Sequence, residues 1–204
     1  MTAKVKVIFI FEKKVDPNGI YINTTSSAGW SKDLSPFVIG PCSLYNGYVS
    51  QNVENGWQFS KVYKKFVGND GNPIDYYFEW AKNGWSDTRA HRYPMGKGAI
   101  PEYSWWNGEK LGYVEARKRI YVPLYANAVI KTDGFKKLKE IYERNDGKTL
   151  YLLDYDAYRH ENLRMTLFDV LNNPKKKMGH AFVLMMLLAK DEKTLNECSL
   201  KTHT

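Results

Sequence analysis

Thr149-Leu150-Tyr151-Leu152-Leu153-Asp154 and Ala181-Phe182-Val183-Leu184-Met185-Met186-Leu187-Leu188-Ala189 decide the fold class. The first is a short apolar run that ends in an acid, which is the composition of a buried strand. The second is nine uncharged residues. A membrane-spanning helix needs about 20, so this segment reads as a helix buried inside a core. A strand and an all-apolar helix in one chain of 204 residues point to a single α+β domain, long enough to enclose a substantial core.

Working outward, helices outnumber strands. Val5-Lys6-Val7 and Ile8-Phe9-Ile10-Phe11 have strand composition, Asp16-Pro17-Asn18-Gly19 is a turn signal, and Ile20-Tyr21-Ile22 can return. The expectation is a β-hairpin at the start. Residues 23–56 form a long irregular segment, of the kind that usually carries function. Phe59, Val62, Tyr63 and Phe66 fall at i, i+3, i+4 and i+7, so Glu54 to Phe66 reads as one amphipathic helix. A short helix is expected over Asp75 to Lys82 and irregular chain over Gly84 to Gly108. A long helix over Glu109 to Lys131 should be kinked or divided at Pro123. Asp133 is placed to cap the next helix. Helices over Glu161 to Leu171 and Met178 to Lys190 follow, and residues 191–204 read as a polar, fraying tail. The domain itself is assigned to residues 1–190.

The chain has 30 Lys+Arg against 22 Asp+Glu, a net charge of +8, which favours anionic partners: nucleic acid, nucleotides or phosphorylated metabolites. Cys42 and Cys198 have no second Cys or His at metal spacing, so neither a disulfide framework nor a metal site is expected. No leader or membrane segment is visible, and a reducing, cytoplasmic setting fits best.

Common enzyme signatures are absent: no phosphate-binding P-loop, dinucleotide-binding glycine fingerprint, nucleophile elbow or zinc-protease helix. Four segments can carry chemistry. Glu54, Gln58 and Lys61 share a helix face and can line a polar cleft, or can form a solvated ladder. Asp154 and Asp156 end the Leu150 strand, where one can serve a cleft or cap the following turn. Met178-Gly179-His180 opens the last helix, whose free amide hydrogens suit a phosphate, although His180 can equally be a structural hydrogen-bonder. Arg89, His91, Arg92 and Lys97, interleaved with Trp85, Tyr93, Trp105 and Trp106, read either as a phosphate and base platform or as a basic loop folded on its own aromatics. The Lys175-Lys176-Lys177 triplet is too short to imply a binding arm.

Ser31-Lys32-Asp33-Leu34-Ser35-Pro36-Phe37, then Glu54-Asn55-Gly56-Trp57-Gln58-Phe59-Ser60-Lys61, then Asp154/Asp156 and the Gly179 helix resemble, in order and spacing, the NADAR superfamily, named for its association with NAD and ADP-ribose. The resemblance spans roughly residues 29 to 190. Where that family commonly has His after its Glu, this chain has Asn55. Ala157 stands where the family has Trp-Gly after its late Asp, and His180 marks a closing helix that lacks the family's usual second glycine.

The resemblance implies a small, mainly helical N-glycosidase acting on a ribosyl-phosphate or ADP-ribosyl adduct, with no cofactor and no metal. Glu54 would be the carboxylate beside the sugar, with Asp156 or else Asp154 holding ribose hydroxyls or water. Lys61, Arg92 and the Gly179–His180 helix start would take phosphate charge, Trp57 or Trp30 would stack on the base, and Ser31, Ser35, Phe37 and Gln58 would complete the ligand site. The implied partner is an ADP-ribose-like or other phosphorylated nucleotide, free or within nucleic acid. The rival class is a module that sequesters such a ligand without turnover, and a third is a transferase using NAD as donor. On the leading reading, Glu54 must face the same cleft as Asp154 or Asp156, although about 100 positions separate them.

Overall fold

A computed structural model describes residues 4–14, 16–27 and 29–198. Its centre is a three-stranded sheet in which β1 (Lys4–Phe9) and β2 (Ile20–Asn23) flank the later β8 (Thr149–Asp154), with the order β1-β8-β2. Both pairings are parallel, Val7 lying opposite Leu152 and Ile22 opposite that same residue on the other side. β1 and β2 are therefore not a hairpin. The chain between them runs back along the sheet, and the strand from the far end of the sequence inserts between the two. Leu150 to Asp154 are all buried, as expected of a strand covered on both faces rather than one with a wet side.

Between the second and third of these strands the chain forms β3 (Cys42–Ser43), β4 (Val49–Ser50), α1 (Val53–Gln58), β5 (Lys61–Val62), α2 (Asp75–Ser86), β6 (Tyr103–Trp106) and β7 (Glu109–Leu111). The helix expected over Glu54 to Phe66 stops at Gln58. Phe59, Val62, Tyr63 and Phe66 are buried nonetheless, in a second apolar cluster against Tyr77, Ala81 and Trp85 of α2. Gly84 belongs to that packing, because a Cβ there would lie 2.1 Å from the Phe59 ring. Strands β5, β6 and β7 pair antiparallel, so part of the stretch expected to be irregular is sheet.

The helix expected from Glu109 begins later. α3 (Tyr113–Ala116) passes through a π-helical turn (Arg117–Tyr121) into α4 (Val122–Val129) without a break. Pro123, which has no N–H to give the preceding turn, sits just after this widened segment rather than dividing the helix. α5 (Asp133–Glu143) is capped by Thr132, whose side chain accepts the Phe135 N–H at 3.0 Å, and not by Asp133. After β8, the expected Glu161 helix is a single 3-10 turn (His160–Leu163) followed by α6 (Leu167–Asn172), which opens with a capping box between Thr166 and Asp169.

α7 (His180–Leu188) contains all of the apolar nine-residue segment except its last residue, Ala189. Residues 181–184, Met186 and Leu188 are buried, Met185 and Leu187 half-buried, and only Ala189 exposed. It packs on β1, β8 and α4 at the middle of the main core. The tail expected to fray is structured through residue 198: α8 (Glu192–Asn196) places Leu195, and the turn after it Cys198, in that same core. Residues 199–204 lie outside the described ones. The outcome is an α+β fold with 42% helix and 16% strand. No helix among the described residues is long and apolar enough to cross a membrane.

The contact between β8 and α7 leaves no room at Gly179, where a Cβ would stand 2.1 Å from Asp154 Oδ2. Gly179→Ala is therefore expected to destabilise the protein by about 1–3 kcal/mol, the usual cost of overpacking. Gly112→Ala, which meets nothing within 4 Å, should change it by less than about 0.5 kcal/mol. Urea unfolding of the two variants checks this.

Candidate active site

Asn52 accepts the Asn55 N–H on its side-chain oxygen at 2.8 Å and so starts α1. Two further bonds set the helix against the 35–39 loop: Glu54 N–H to the Pro36 carbonyl at 2.9 Å and Val53 N–H to the Ile39 carbonyl at 3.0 Å. Glu54 thereby sits in the first turn, 5% exposed, beside the loop that carries Ser35, Pro36 and Phe37. Gln58, one turn later, donates its amide to Glu54 Oε1 at 2.9 Å. Lys61 lies on β5, beyond the helix, yet its Nζ donates to Gln58 Oε1 at 2.7 Å. The polar ladder read from helical spacing is real, although its last rung is on a strand.

This ladder opens onto a cleft of about 630 Å³. Glu54, Trp57, Gln58 and Lys61 line it, together with Ser35, Phe37, Arg92, Asp154, Asp156, Gly179 and His180. Glu54 thus shares a cleft with both late carboxylates, as the leading reading requires. Trp30 and Ser31 do not reach it. Trp30 is half-buried with the Lys137 ammonium 4.8 Å from its ring centre, and the Ser31 hydroxyl is spent on the Asn23 carbonyl. Of the basic and aromatic group near residue 90, only Arg92 and Tyr93 line the cleft. Trp85 is in the core, and the Arg89 carbonyl accepts from Asn55.

Asn55, where the resembled family has His, has a clear local task. Its amide donates to the carbonyls of Asp87 and Arg89, both at 2.9 Å, and its oxygen accepts the His91 N–H at 2.8 Å. Three bonds from one buried side chain pin the loop that delivers Arg92. Arg92 then pairs across to Asp156 at 3.1 Å.

The two late acids are unequal. Asp154 is buried, and its Oδ2 accepts the Ala181 N–H at 3.2 Å and sits 3.1 Å from His180 Nδ1. His180 Nε2 is 2.9 Å from the Thr24 carbonyl and 2.8 Å from its hydroxyl. Asp154 therefore joins the end of β8 to α7, and it already occupies the helix start expected to take a phosphate. A second anion there would meet its charge. Gly179 and His180 border the cleft as structure. Asp156, one third exposed and held by Arg92, is the acid free to meet a ligand.

Several wall residues had no sequence signal. Arg117 and Tyr121 come from the π turn, whose extra residue turns both toward the cleft. Arg117 is fully buried, with its guanidinium donating to the carbonyls of Val170, Leu171, Asn173 and Lys176 at 2.8–3.1 Å. It fixes the 173–176 backbone so that Lys175, Lys176 and Lys177 line the cleft mouth. The lysine triplet, too short by itself to imply a binding arm, belongs to the site because of this anchor. Six cationic side chains line the cleft against three carboxylates.

Burial sets the ionisation here. It pushes the Glu54 carboxyl up to about 7, although the Gln58 hydrogen bond and the charges of Lys61 and Arg92 pull the other way. Burial likewise brings the Lys61 ammonium down to about 8 against the attraction of Glu54. The Tyr121 phenol is held well above its ordinary value by burial, and then by the Asp154 and Glu54 charges, so it keeps its proton. Trp57 leans on Tyr121, ring centres 5.4 Å apart, with the Lys61 ammonium 4.7 Å from its ring. Among the described residues no group of three or more His, Cys, Asp or Glu is gathered to hold a metal ion.

The sequence pattern of a family of unknown function, DUF6939, matches residues 11–183. The chain belongs to that family. Every residue lining the cleft falls within the matched span, so the DUF6939 pattern encloses the whole candidate site. No curated protein and no solved structure matches the chain.

The raised Glu54 carboxyl makes stability depend on pH. The folded protein holds this proton between the ordinary value of 4.5 and about 7, whereas the unfolded chain releases it. This group therefore costs stability as pH rises through that window. Glu54→Gln removes the cost and should be more stable than wild type above pH 7, by up to about 3 kcal/mol. The difference should vanish toward pH 4.5. Thermal melts of both proteins across that range check the sign.

Proposed function

We propose that the cleft hydrolyses an N-glycosidic bond, between a ribose C1′ and a base nitrogen, in a phosphorylated or ADP-ribosylated nucleotide. The observation that carries this reading is Glu54: a buried carboxyl with a pKa near neutrality, steered by Gln58 and Lys61, at the wall of a cationic, aromatic-lined cleft. Breaking such a bond builds positive charge on the sugar. A fixed carboxylate in a low-dielectric site stabilises that charge far better than water does. The resemblance of the Glu54-to-Lys61 and Asp154/Asp156 segments to the NADAR superfamily supports the same assignment.

In this mechanism the C1′–N bond breaks as the base leaves, and Glu54 in its ionised form faces the developing cation. Water attacks C1′ and gives its proton to Glu54, which passes it to the departing base nitrogen. Water thus ends as the C1′ hydroxyl and the added proton of the base, and the enzyme is restored. Gln58 fixes the rotamer of Glu54 by holding Oε1. Asp156, oriented by Arg92, takes ribose hydroxyls or the attacking water. Trp57 and Phe37 wall the base, while Arg92 and Lys175 to Lys177 take phosphate charge.

Incubation with an ADP-ribosylated nucleoside, followed by chromatography of the released base, tests the reading. Wild-type protein should release base, with kcat/KM rising as pH passes about 7, where Glu54 ionises. Glu54→Gln should bind the substrate comparably and turn it over at least about 100-fold more slowly. Tight binding by wild-type protein with no base release from any such nucleotide would instead establish a sequestering module.

A further inference from the structure

The cleft does not end at its own walls. Arg92 lies between two lining tyrosines, its guanidinium 5.4 Å from the Tyr93 ring centre and 5.6 Å from that of Tyr155. Tyr155 then meets Phe11 edge-on at 5.9 Å, and Phe11 meets Phe9 edge-on at 5.6 Å. All four rings are exposed, Phe11 to 74%. Single exposed aromatics are ordinary on protein surfaces, but a contiguous file of them leading out of a cleft is not.

The segment carrying Phe11 is also held in place. Ile10 N–H donates to the Asp154 carbonyl at 3.1 Å, Glu12 N–H to the Phe9 carbonyl at 2.9 Å, and Arg159 pairs with Glu12. Phe9 at the end of β1 and Phe11 in the turn after it are thus fixed outside the cleft, where a mononucleotide seated against Glu54 would not need them.

We propose that Tyr93, Tyr155, Phe11 and Phe9 form a stacking track that holds a single-stranded nucleic acid as it leaves the cleft. Every base offers a flat face to such rings, and exposed aromatics beside cations are how proteins grip single strands without reading their sequence. The charge agrees: Arg92 stands within the track, Lys175 to Lys177 edge the cleft mouth, and the chain carries a net +8. A duplex, with its bases paired and stacked, has no free faces to give. The proposal deepens the glycosidase reading by naming its substrate class, a base within a strand, and rests on that reading only for the chemistry inside the cleft.

Fluorescence anisotropy with short labelled oligonucleotides, measured in a Glu54→Gln background so that binding is read without turnover, tests the surface apart from the reaction. Single-stranded DNA and RNA should bind more tightly than the matching duplex, and binding should weaken as salt rises. Phe11→Ala should weaken single-strand binding about tenfold, while leaving affinity for free ADP-ribose, the thermal melt and the oligomeric state unchanged. Phe9→Ala should act in the same direction. Unchanged binding by Phe11→Ala overturns the proposal, as does equal affinity for duplex, the absence of binding, or an effect of Phe11→Ala confined to self-association. If single-strand binding behaves as stated but no base is released from any adduct, the track stands and the glycosidase reading falls.

Discussion

Asp154 ties the end of the central strand to the first turn of the buried helix, and the site depends on that tie. One carboxylate oxygen accepts the Ala181 N–H and faces His180, which reaches Thr24 just beyond β2. Three separate segments, at residues 24, 154 and 180, are thereby locked at one point beneath the cleft. A carboxylate at a helix start is favourable electrostatically, and here it comes from a neighbouring strand instead of the helix's own cap. Only glycine fits between, because a Cβ at position 179 would collide with the carboxylate. Two residues past this point Asp156 emerges into the cleft with its direction already set.

The rest of the cleft is built by a similar economy of buried polar groups. Asn55 uses all of its amide on the loop that brings in Arg92, and Arg117 uses its guanidinium on the backbone that presents Lys175 to Lys177. Neither residue needs to touch a ligand to shape the site. Both satisfy backbone carbonyls, and those of Val170 and Leu171 would be left buried and unpaired without Arg117, at about 1–3 kcal/mol each. The price of this scaffold is paid at Glu54, whose burial raises its pKa toward neutrality. That shifted carboxyl at the wall of the cleft is the feature on which the proposed reaction rests.

Much of the site was legible because its residues lie close together in sequence. Glu54, Gln58 and Lys61 follow one another within eight positions, so helical spacing alone brought them together, even though the helix ends before Lys61. The apolar strand and the uncharged nine-residue helix announced the core for the same local reason. Longer-range features were not legible. A parallel sheet whose middle strand comes from residue 149 onward leaves no local sign in β1 and β2, and a turn signal between them suggested a hairpin. The anchoring of the lysine triplet by a guanidinium more than 50 positions away is equally invisible to composition. The division of labour between Asp154 and Asp156 needed the helix that caps itself on the former.

The central claim is that Glu54 is buried in a setting that keeps it half-ionised near neutral pH. A carbon NMR titration of protein labelled at the glutamate carboxyls, assigned by comparison with Glu54→Gln, measures this directly. One carboxyl, absent from the variant, should titrate with a midpoint at about 7. A midpoint for that carboxyl at the ordinary value of 4.5 would show Glu54 open to water and contradict the account.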